Sequence, residues 1–166
     1  MKNILLALLI LFPLTALSDT ECRVKSPGIT KINGLTLPGE MKSLVNVKTM
    51  IDTTTDSGKR LIITQGTRPA GSRVAIHVHH YGGTTCVLSG AITDFVEGHP
   101  PMYWPAGTCY YMPPNTPMSA ANLGSTDALL QDIFYLPPGE PTITIVEPGY
   151  PACPKTNNEH KAKGHK

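Results

Sequence analysis

Short runs of apolar, β-branched and aromatic residues recur along the chain between turns rich in glycine and proline. The three- and four-residue spacing of apolar positions that an amphipathic helix needs is weak throughout the chain after residue 18. Short runs bounded by such turns are typical of strands. The predicted strands cover 44–51, 60–65, 74–79, 84–90, 91–98, 108–113, 129–136 and 142–146. Many short, evenly spaced strands predict an all-β protein, either a sandwich or a barrel.

The first eighteen residues resemble a secretory signal peptide. Lys2 precedes the apolar run ILLALLILF, which is too short to span a bilayer, and small residues stand before Asp19. We therefore expect cleavage near Asp19 and export of the mature chain into a periplasm or out of the cell, with no membrane association afterwards. A membrane anchor is less favoured because charged residues follow the run at once.

A chain of 166 residues favours one domain. We place it at 19–154 with its core at about 45–147, and expect the polar tail 155–166 to be disordered. The formal charge is +2, but residues 3–154 carry two more acidic than basic side chains. Since this part shows no basic stripe, we expect no nucleic-acid partner.

The chain has four cysteines, an even number that favours disulfides in an exported protein. Four cysteines allow three connectivities. The simplest one joins Cys22 to Cys153 near the two ends and Cys86 to Cys109 in the interior of the chain.

Three of the six histidines fall in the stretch HVHH at 77–80. In a strand, residues two apart point to the same side, so His77 and His79 are expected on one face and His80 on the other. Two imidazoles on one face can share a transition metal. Taken alone, a hydrogen-bonded pair of histidines explains the pattern equally well.

The spacing around these histidines resembles the cupin family. The first cupin motif has its counterpart in Gly71, His77, His79, Gly83 and Gly90, and the second in Gly107, Pro113, Asn115, Met118 and Asn122. The resemblance implies a small double-sheet barrel, the double-stranded β-helix or jelly roll, with a site in its mouth.

The same comparison shows where the chain departs from the family pattern. Gly83, or Thr84 if the loop is one residue longer, stands where the family has a glutamate, and Met118 stands where it has a third histidine. The resemblance therefore implies His77 and His79 as metal ligands, with Met118 beside them. Asn115 replaces a turn glycine, and asparagine tolerates positive φ.

The ligand types favour copper. Loss of the carboxylate disfavours manganese, magnesium and non-haem iron, whereas a thioether suits copper, especially Cu(I). Two alternatives stay open. Met118 could only line the site, because methionine fills irregular apolar gaps. Cys86 and Cys109, if reduced, could complete a histidine, cysteine and methionine set like that of blue-copper centres.

Other residues carry weaker signals. Asp94 and Glu97 are expected to face solvent, with no paired-carboxylate geometry. Aromatic residues that could line the mouth or simply pack in the strands are Tyr81, Trp104, Tyr110 and Tyr111.

Three functions compete. The first is an exported metal-binding cupin, with copper as the metal, for storage, buffering or sensing. The second is a cupin enzyme, an oxygenase or isomerase, acting on a small molecule, and the third is a metal-free ligand-binding module. The second is disfavoured because the glutamate, the third histidine and an evident acid–base pair are missing. A homodimer stays open.

Overall fold

In the computed structural model, residues 28–150 are described in full and residues 22–24 as backbone only. The predicted signal segment 1–18, its predicted cleavage site, Cys153 and the tail 155–166 lie outside the described residues, as does the side chain of Cys22. The regular elements of the described part are strands, with bounds β1 Cys22–Val24, β2 Glu40–Met41, β3 Val45–Thr54, β4 Arg60–Arg68, β5 Ser72–Arg73, β6 His77–Val78, β7 Gly83–Ser89, β8 Ala91–Val96, β9 Met102–Pro105, β10 Cys109–Met112, β11 Met118–Asn122, β12 Ala128–Leu136 and β13 Ile143–Ile145. Within these ranges, the structure contains no helix long and apolar enough to cross a membrane.

The strands form two sheets. In the first sheet β1, β13, β6, β11, β5 and β2 follow one another, and β8 joins β11 to β9; in the second sheet the order is β10, β7, β12, β4, β3. From β4 onward the chain passes repeatedly between the sheets, and the last long strand, β12, pairs with β4 and β7. This is the strand order of a jelly roll. It confirms the predicted all-β fold, a cupin-like double-stranded β-helix.

Five strands were not predicted: the short strands β1, β2 and β5, and the two longer strands β9 and β11. β11 has the sequence MSAAN, which lacks the β-branched and aromatic residues that usually indicate a strand, yet all five residues are buried. The other longer strand is β9, whose sequence MYWP follows two prolines. Small residues suit β11 because packing on both of its faces leaves little room for larger side chains.

The inner faces of the two sheets enclose the main core, which contains Ile62, Val87, Met118, Leu130 and Phe134 among others. A second cluster lies on the outer face of the first sheet. There Ile32 and Leu37, from the segment before β2, pack with Phe95 of β8 and Ala121 of β11. The strands β8 and β11 of the first sheet are therefore covered on both sides.

The predicted Cys86–Cys109 disulfide is present, with an S–S distance of 2.08 Å. The two cysteines are direct partners in the pairing of β7 with β10. Their chain neighbours Thr85 and Tyr110 are buried in the barrel, so both sulfurs lie on the outer face of the second sheet. The alternative of thiolate ligands beside His77 is therefore wrong.

The expectation that Asp94 faces solvent is wrong. Glu97 is exposed as expected, but Asp94 is only 4% exposed. It shares the inner face of β8 with Ile92 and Val96, and its Oδ1 atom is buried with no hydrogen-bond partner among the described residues. Burial raises the pKa of Asp94 to about 7.

This burial predicts a pH-dependent stability difference. Between the ordinary carboxyl pKa and pH 7, the folded state holds a proton on Asp94 that the unfolded state has released, so stability falls as pH rises through this window. Asp94→Asn cannot ionise, and we expect it to raise the free energy of unfolding by about 3 kcal/mol above pH 7 and by little below pH 4. Urea denaturation from pH 4 to 8 measures this. Asp56→Asn, at an exposed turn, is the control, and a gain from Asp94→Asn that does not vary with pH would contradict the interpretation.

A candidate metal site at one end of the barrel

The structure brings His77 and His79 together inside the barrel. His77 begins β6, and His79 follows it and forms an isolated bridge with Pro114. Both side chains are buried, at 4% and 3% exposed. Their rings meet edge to face with centroids 4.7 Å apart, and the two Nε2 atoms are separated by 3.0 Å. The i, i+2 spacing thus places both imidazoles on one side.

Backbone carbonyls orient both rings. The Nδ1 atom of His77 lies 2.7 Å from the carbonyl oxygen of Ala75, and that of His79 lies 2.6 Å from the carbonyl oxygen of Thr142. A carbonyl oxygen only accepts hydrogen bonds, so each Nδ1 carries the proton and donates it. In a neutral imidazole the other nitrogen then holds a lone pair. Both neutral rings therefore direct a lone pair at the 3.0 Å gap between the Nε2 atoms.

The number of protons on the pair decides whether the two Nε2 atoms can be hydrogen-bonded to each other. The two contacts to carbonyl oxygens and the contact between the Nε2 atoms can all be hydrogen bonds only if the two rings together carry three protons and a net positive charge. Burial opposes that charge: it lowers the pKa of His79 to about 4, and burial together with the neighbouring His79 lowers the pKa of His77 well below its ordinary value. At neutral pH two lone pairs face each other. Histidines that bind metals commonly donate their other ring N–H to a backbone carbonyl, as both of these rings do.

Met118 lies beside the pair. It is the direct partner of His77 where β11 pairs with β6, and opposite residues in an antiparallel pair project to the same face. The side chain is 1% exposed and also belongs to the main core. The structure therefore brings Met118 to the face that carries His77, where its thioether can serve as a ligand or as apolar lining.

The position of the family's glutamate is filled by other side chains. A Cβ atom added at Gly83 would lie 2.7 Å from two ring carbons of Phe134 and 2.8 Å from the Met112 methyl. The ring of Phe134 also lies against His79, with centroids 5.2 Å apart. Within residues 28–150 no group of three or more His, Cys, Asp or Glu side chains could hold a metal. The donor set does not fit a carboxylate-dependent metal, whereas two imidazoles and a thioether in apolar surroundings fit a soft one.

The packing at Gly83 predicts a steric cost. Gly83→Ala should lower the free energy of unfolding by about 1–3 kcal/mol, because the new methyl group overlaps the Phe134 ring. Phe134→Leu in the same chain should recover part of that loss by removing the ring. Thermal and urea denaturation of the single and double variants measure the coupling. Strictly additive losses would show that the two positions do not compete for this space.

His80 faces away from the pair. Its Nδ1 atom lies 2.8 Å from Oδ1 of Asn115, at the exposed side of the turn. Asn115 has a φ of 56°, which confirms that it takes over the positive-φ role of the turn glycine. Its backbone N–H donates to the carbonyl oxygen of His79 at 2.8 Å, so the turn before β11 is tied to the end of β6.

Two of the four aromatic residues pack in the core, as one of the two expectations had it, and the other two are exposed. Tyr110 is buried in the core and stacks with Trp104 at 5.6 Å between centroids, whereas Tyr81 and Tyr111 are exposed. The barrel also buries polar side chains that sequence reasoning missed. Thr85 donates a hydrogen bond of 2.6 Å to Asp132, and burial raises the pKa of Asp132.

Sequence reasoning also missed Phe134 and the two carbonyls. The alternation of β12 places Phe134 on the inner face with Leu130 and Leu136, and this signal was available. The carbonyls of Ala75 and Thr142 belong to irregular backbone, and no pattern of side chains in the sequence indicates where they lie.

Comparison with known proteins adds a likeness of fold. No family model matches the chain, and no curated protein matches it. A double-stranded β-helix protein from Klebsiella pneumoniae is 18% identical over 64% of this chain and 90% of its own, with a TM-score of 0.49. An RmlC-like cupin from Methanocaldococcus jannaschii is 18% identical over 63% and 93%, with a TM-score of 0.48.

A third solved structure is an enzyme. The DMSP lyase DddQ from Ruegeria pomeroyi is 18% identical over 60% of this chain, with a TM-score of 0.49, and this chain spans 50% of the lyase. At these identities the likeness concerns the fold. The strand order itself defines the class, a cupin-like jelly-roll barrel with two buried imidazoles.

Proposed function

We propose that this chain is an exported protein that binds copper through His77 and His79, with Met118 as a third ligand, and that it stores, buffers or senses the metal. The observation that carries the proposal is the 3.0 Å approach of two Nε2 atoms whose lone pairs are directed at each other by the Ala75 and Thr142 carbonyls. A bound cation relieves that repulsion and uses both lone pairs.

The surroundings support copper over harder metals. Phe134 and Met112 occupy the space around Gly83 where a carboxylate would enter, which leaves nitrogen and sulfur as donors. Soft sulfur ligands select Cu(I), and the stability order places Cu²⁺ above Zn²⁺ for nitrogen ligands. Bound copper would be held by the chain's own imidazoles and thioether in a buried site. Such a site suits retention of the ion.

The Cys86–Cys109 disulfide supports export, because such bonds persist in oxidising compartments. The signal segment and the domain limits at 19 and 154 remain part of the proposal. Intact-mass measurement of the exported protein should give a chain that begins near Asp19. Retention of residues 1–18 would remove the compartment argument.

The test is elemental analysis of protein purified from its native compartment without any metal-loaded resin. We expect copper at about one equivalent per chain, and tighter binding of Cu(I) than of Zn²⁺ when the metal-free protein is titrated. Protein that carries no metal above trace and binds no Cu(I) in titration would contradict the proposal. The metal-free ligand-binding alternative would then be favoured.

A further inference from the structure

The Cys86–Cys109 disulfide lies at an edge of the second sheet. β10, which begins at Cys109, pairs with β7 and is the edge strand of this sheet within the described residues. Cys109 is exposed and Cys86 is half-buried, whereas their chain neighbours Tyr110 and Thr85 point into the barrel. The disulfide is therefore within reach of a reagent in solution.

The strand that carries Cys109 leads directly into the candidate metal site. The turn 113–117 follows β10 and ends at Met118, where β11 begins. In this turn Pro114 forms a bridge with His79, and the backbone N–H of Asn115 donates to the carbonyl oxygen of His79 at 2.8 Å. The position of β10 therefore sets the position of the turn that holds the His79 backbone.

β10 also packs against the loop that follows His79. Its last residue, Met112, is 4% exposed and accepts a hydrogen bond of 3.3 Å from Oγ1 of Thr85 at its sulfur. Its methyl group lies 2.8 Å from where a Cβ atom on Gly83 would be, and its carbonyl oxygen lies 2.9 Å from the same point on Gly82. With so little space between them, β10 and this loop can only shift together.

We propose that the Cys86–Cys109 disulfide is a redox switch on the metal site: the intact bond holds β10 and the turn against His79, and reduction by a protein dithiol loosens them and weakens metal binding. The proposal rests on the proposed function, since it concerns the same imidazoles. The buried side chains of Tyr110 and Met112 still anchor β10 after reduction. We therefore expect weaker binding, because the ligands lose preorganisation, and not a complete loss of the site.

The reduction is an ordinary thiol–disulfide exchange. A thiolate of the dithiol attacks Sγ of Cys109, the S–S bond breaks, and Cys86 leaves as a thiolate that takes up a proton. The second thiol of the dithiol then attacks the mixed disulfide, and Cys109 leaves as the second thiol of the chain. Two electrons and two protons pass from the dithiol, which becomes a disulfide, to the Cys86–Cys109 bond, which becomes two thiols.

The surroundings of the disulfide suit a protein as the reductant. On the outer face its neighbours along β7 and β10 are Thr84, Leu88 and Tyr111, none of which is charged. Leu88 is 42% exposed and Tyr111 is 64% exposed. A partner whose dithiol is surrounded by an apolar rim would bury these two side chains without leaving a charge unpaired.

The first test asks whether the bond can be exchanged in the folded protein. Dithiothreitol, used as the dithiol, should reduce the Cys86–Cys109 bond of the wild type without denaturant, and alkylation followed by peptide mapping should find both cysteines labelled. Circular dichroism checks that the reduced protein stays folded. A bond that is reduced only after unfolding would overturn the proposal.

The second test measures the coupling to His79 without any metal. In NMR relaxation of the metal-free proteins, the backbone amides of His79 and Asn115 should be rigid in the wild type, with order parameters of about 0.85. In the double variant Cys86→Ser/Cys109→Ser we expect lower order parameters or exchange broadening at both amides. The amide of Val74, bonded to the Ala120 carbonyl in the first sheet, should not change. Equal loosening at Val74 would indicate a general effect and would count against the switch.

The third test measures the metal. The double variant has no thiols at these positions that could bind Cu(I) themselves, and its Kd for Cu(I) should be at least about tenfold above that of the oxidised wild type. The matched control is Gln131→Ser, which changes the neighbour of Cys86 on β12 but keeps the disulfide, and it should stay within about twofold.

The outcomes separate the two proposals. Cu(I) binding by the double variant as tight as that of the oxidised wild type would overturn the switch and leave the metal site standing. If neither protein binds Cu(I) but the amides of His79 and Asn115 loosen in the double variant, the proposed function fails while the coupling of the disulfide to this turn stands. Equal weakening by Gln131→Ser would show that any change on this face disturbs the site and would count against the disulfide.

Discussion

Replacement of His77 by alanine should abolish tight copper binding. The variant removes one of the two Nε2 atoms that lie 3.0 Å apart. The remaining Nε2 atom, that of His79, is then the one imidazole donor left beside the Phe134 ring. Because loss of even an outer-shell partner costs about 10–100-fold in metal affinity, loss of a direct ligand should weaken Cu(I) binding by at least about a hundredfold. Competition against a Cu(I) chelator of known affinity measures the change.

The chain offers a matched control three residues away. His80 lies in the same stretch, but its imidazole points to the exposed side and contacts Asn115, so His80→Ala should keep the wild-type affinity. Unchanged binding by His77→Ala would show that the proposed site is wrong. The histidines at 160 and 165, outside the described residues, would then be the first place to look. Equal losses in both variants would indicate that the whole turn had been disturbed.

The fold could be predicted because its signals are local and repeated. Alternation between apolar runs and turns indicated the strands, and the glycines of the motifs mark turns with positive φ, such as Gly90 at 72° and Gly107 at 84°. β11 escaped prediction because its stability comes from burial on both faces and not from the intrinsic preference of MSAAN for strands. The strand propensity of a short segment carries no information about the tertiary packing around it.

The candidate site likewise has one part that the sequence specifies and another that only the fold provides. The i, i+2 spacing of His77 and His79 specifies their common face from sequence alone. The orientation of their rings depends on carbonyls at positions 75 and 142, and the second of these is brought close only by the fold. Asp94 shows the opposite case, since an acidic residue in a strand is normally placed outside and its burial follows from the register of β8 against β11. The set of residues that share the outer face of the second sheet could likewise be assigned only from the pairing registers.

Replacement of Met118 by histidine should change which metal the site prefers. Met118 is paired with His77 across β11 and β6, so an imidazole at this position projects to the face that carries the other two. Three imidazoles form a set that binds Zn²⁺ well, and removal of the thioether takes away the ligand that favours Cu(I). We expect Zn²⁺ affinity to rise by at least about tenfold and the preference for Cu(I) over Zn²⁺ to narrow or reverse. Parallel titrations of wild type and variant with both metals measure this.

The matched control separates the role of sulfur from that of packing. Met118→Leu keeps the apolar volume at a site that is 1% exposed but removes the thioether. If sulfur is a ligand, Met118→Leu should weaken Cu(I) binding without improving Zn²⁺ binding, and it should cost less than about 1.5 kcal/mol of stability. Met118→His should instead lower the stability of the metal-free protein by about 1–3 kcal/mol, since it buries a polar ring, and added Zn²⁺ should restore that loss. If Met118→Leu binds Cu(I) as tightly as wild type, Met118 only lines the site, and the two imidazoles alone hold the metal.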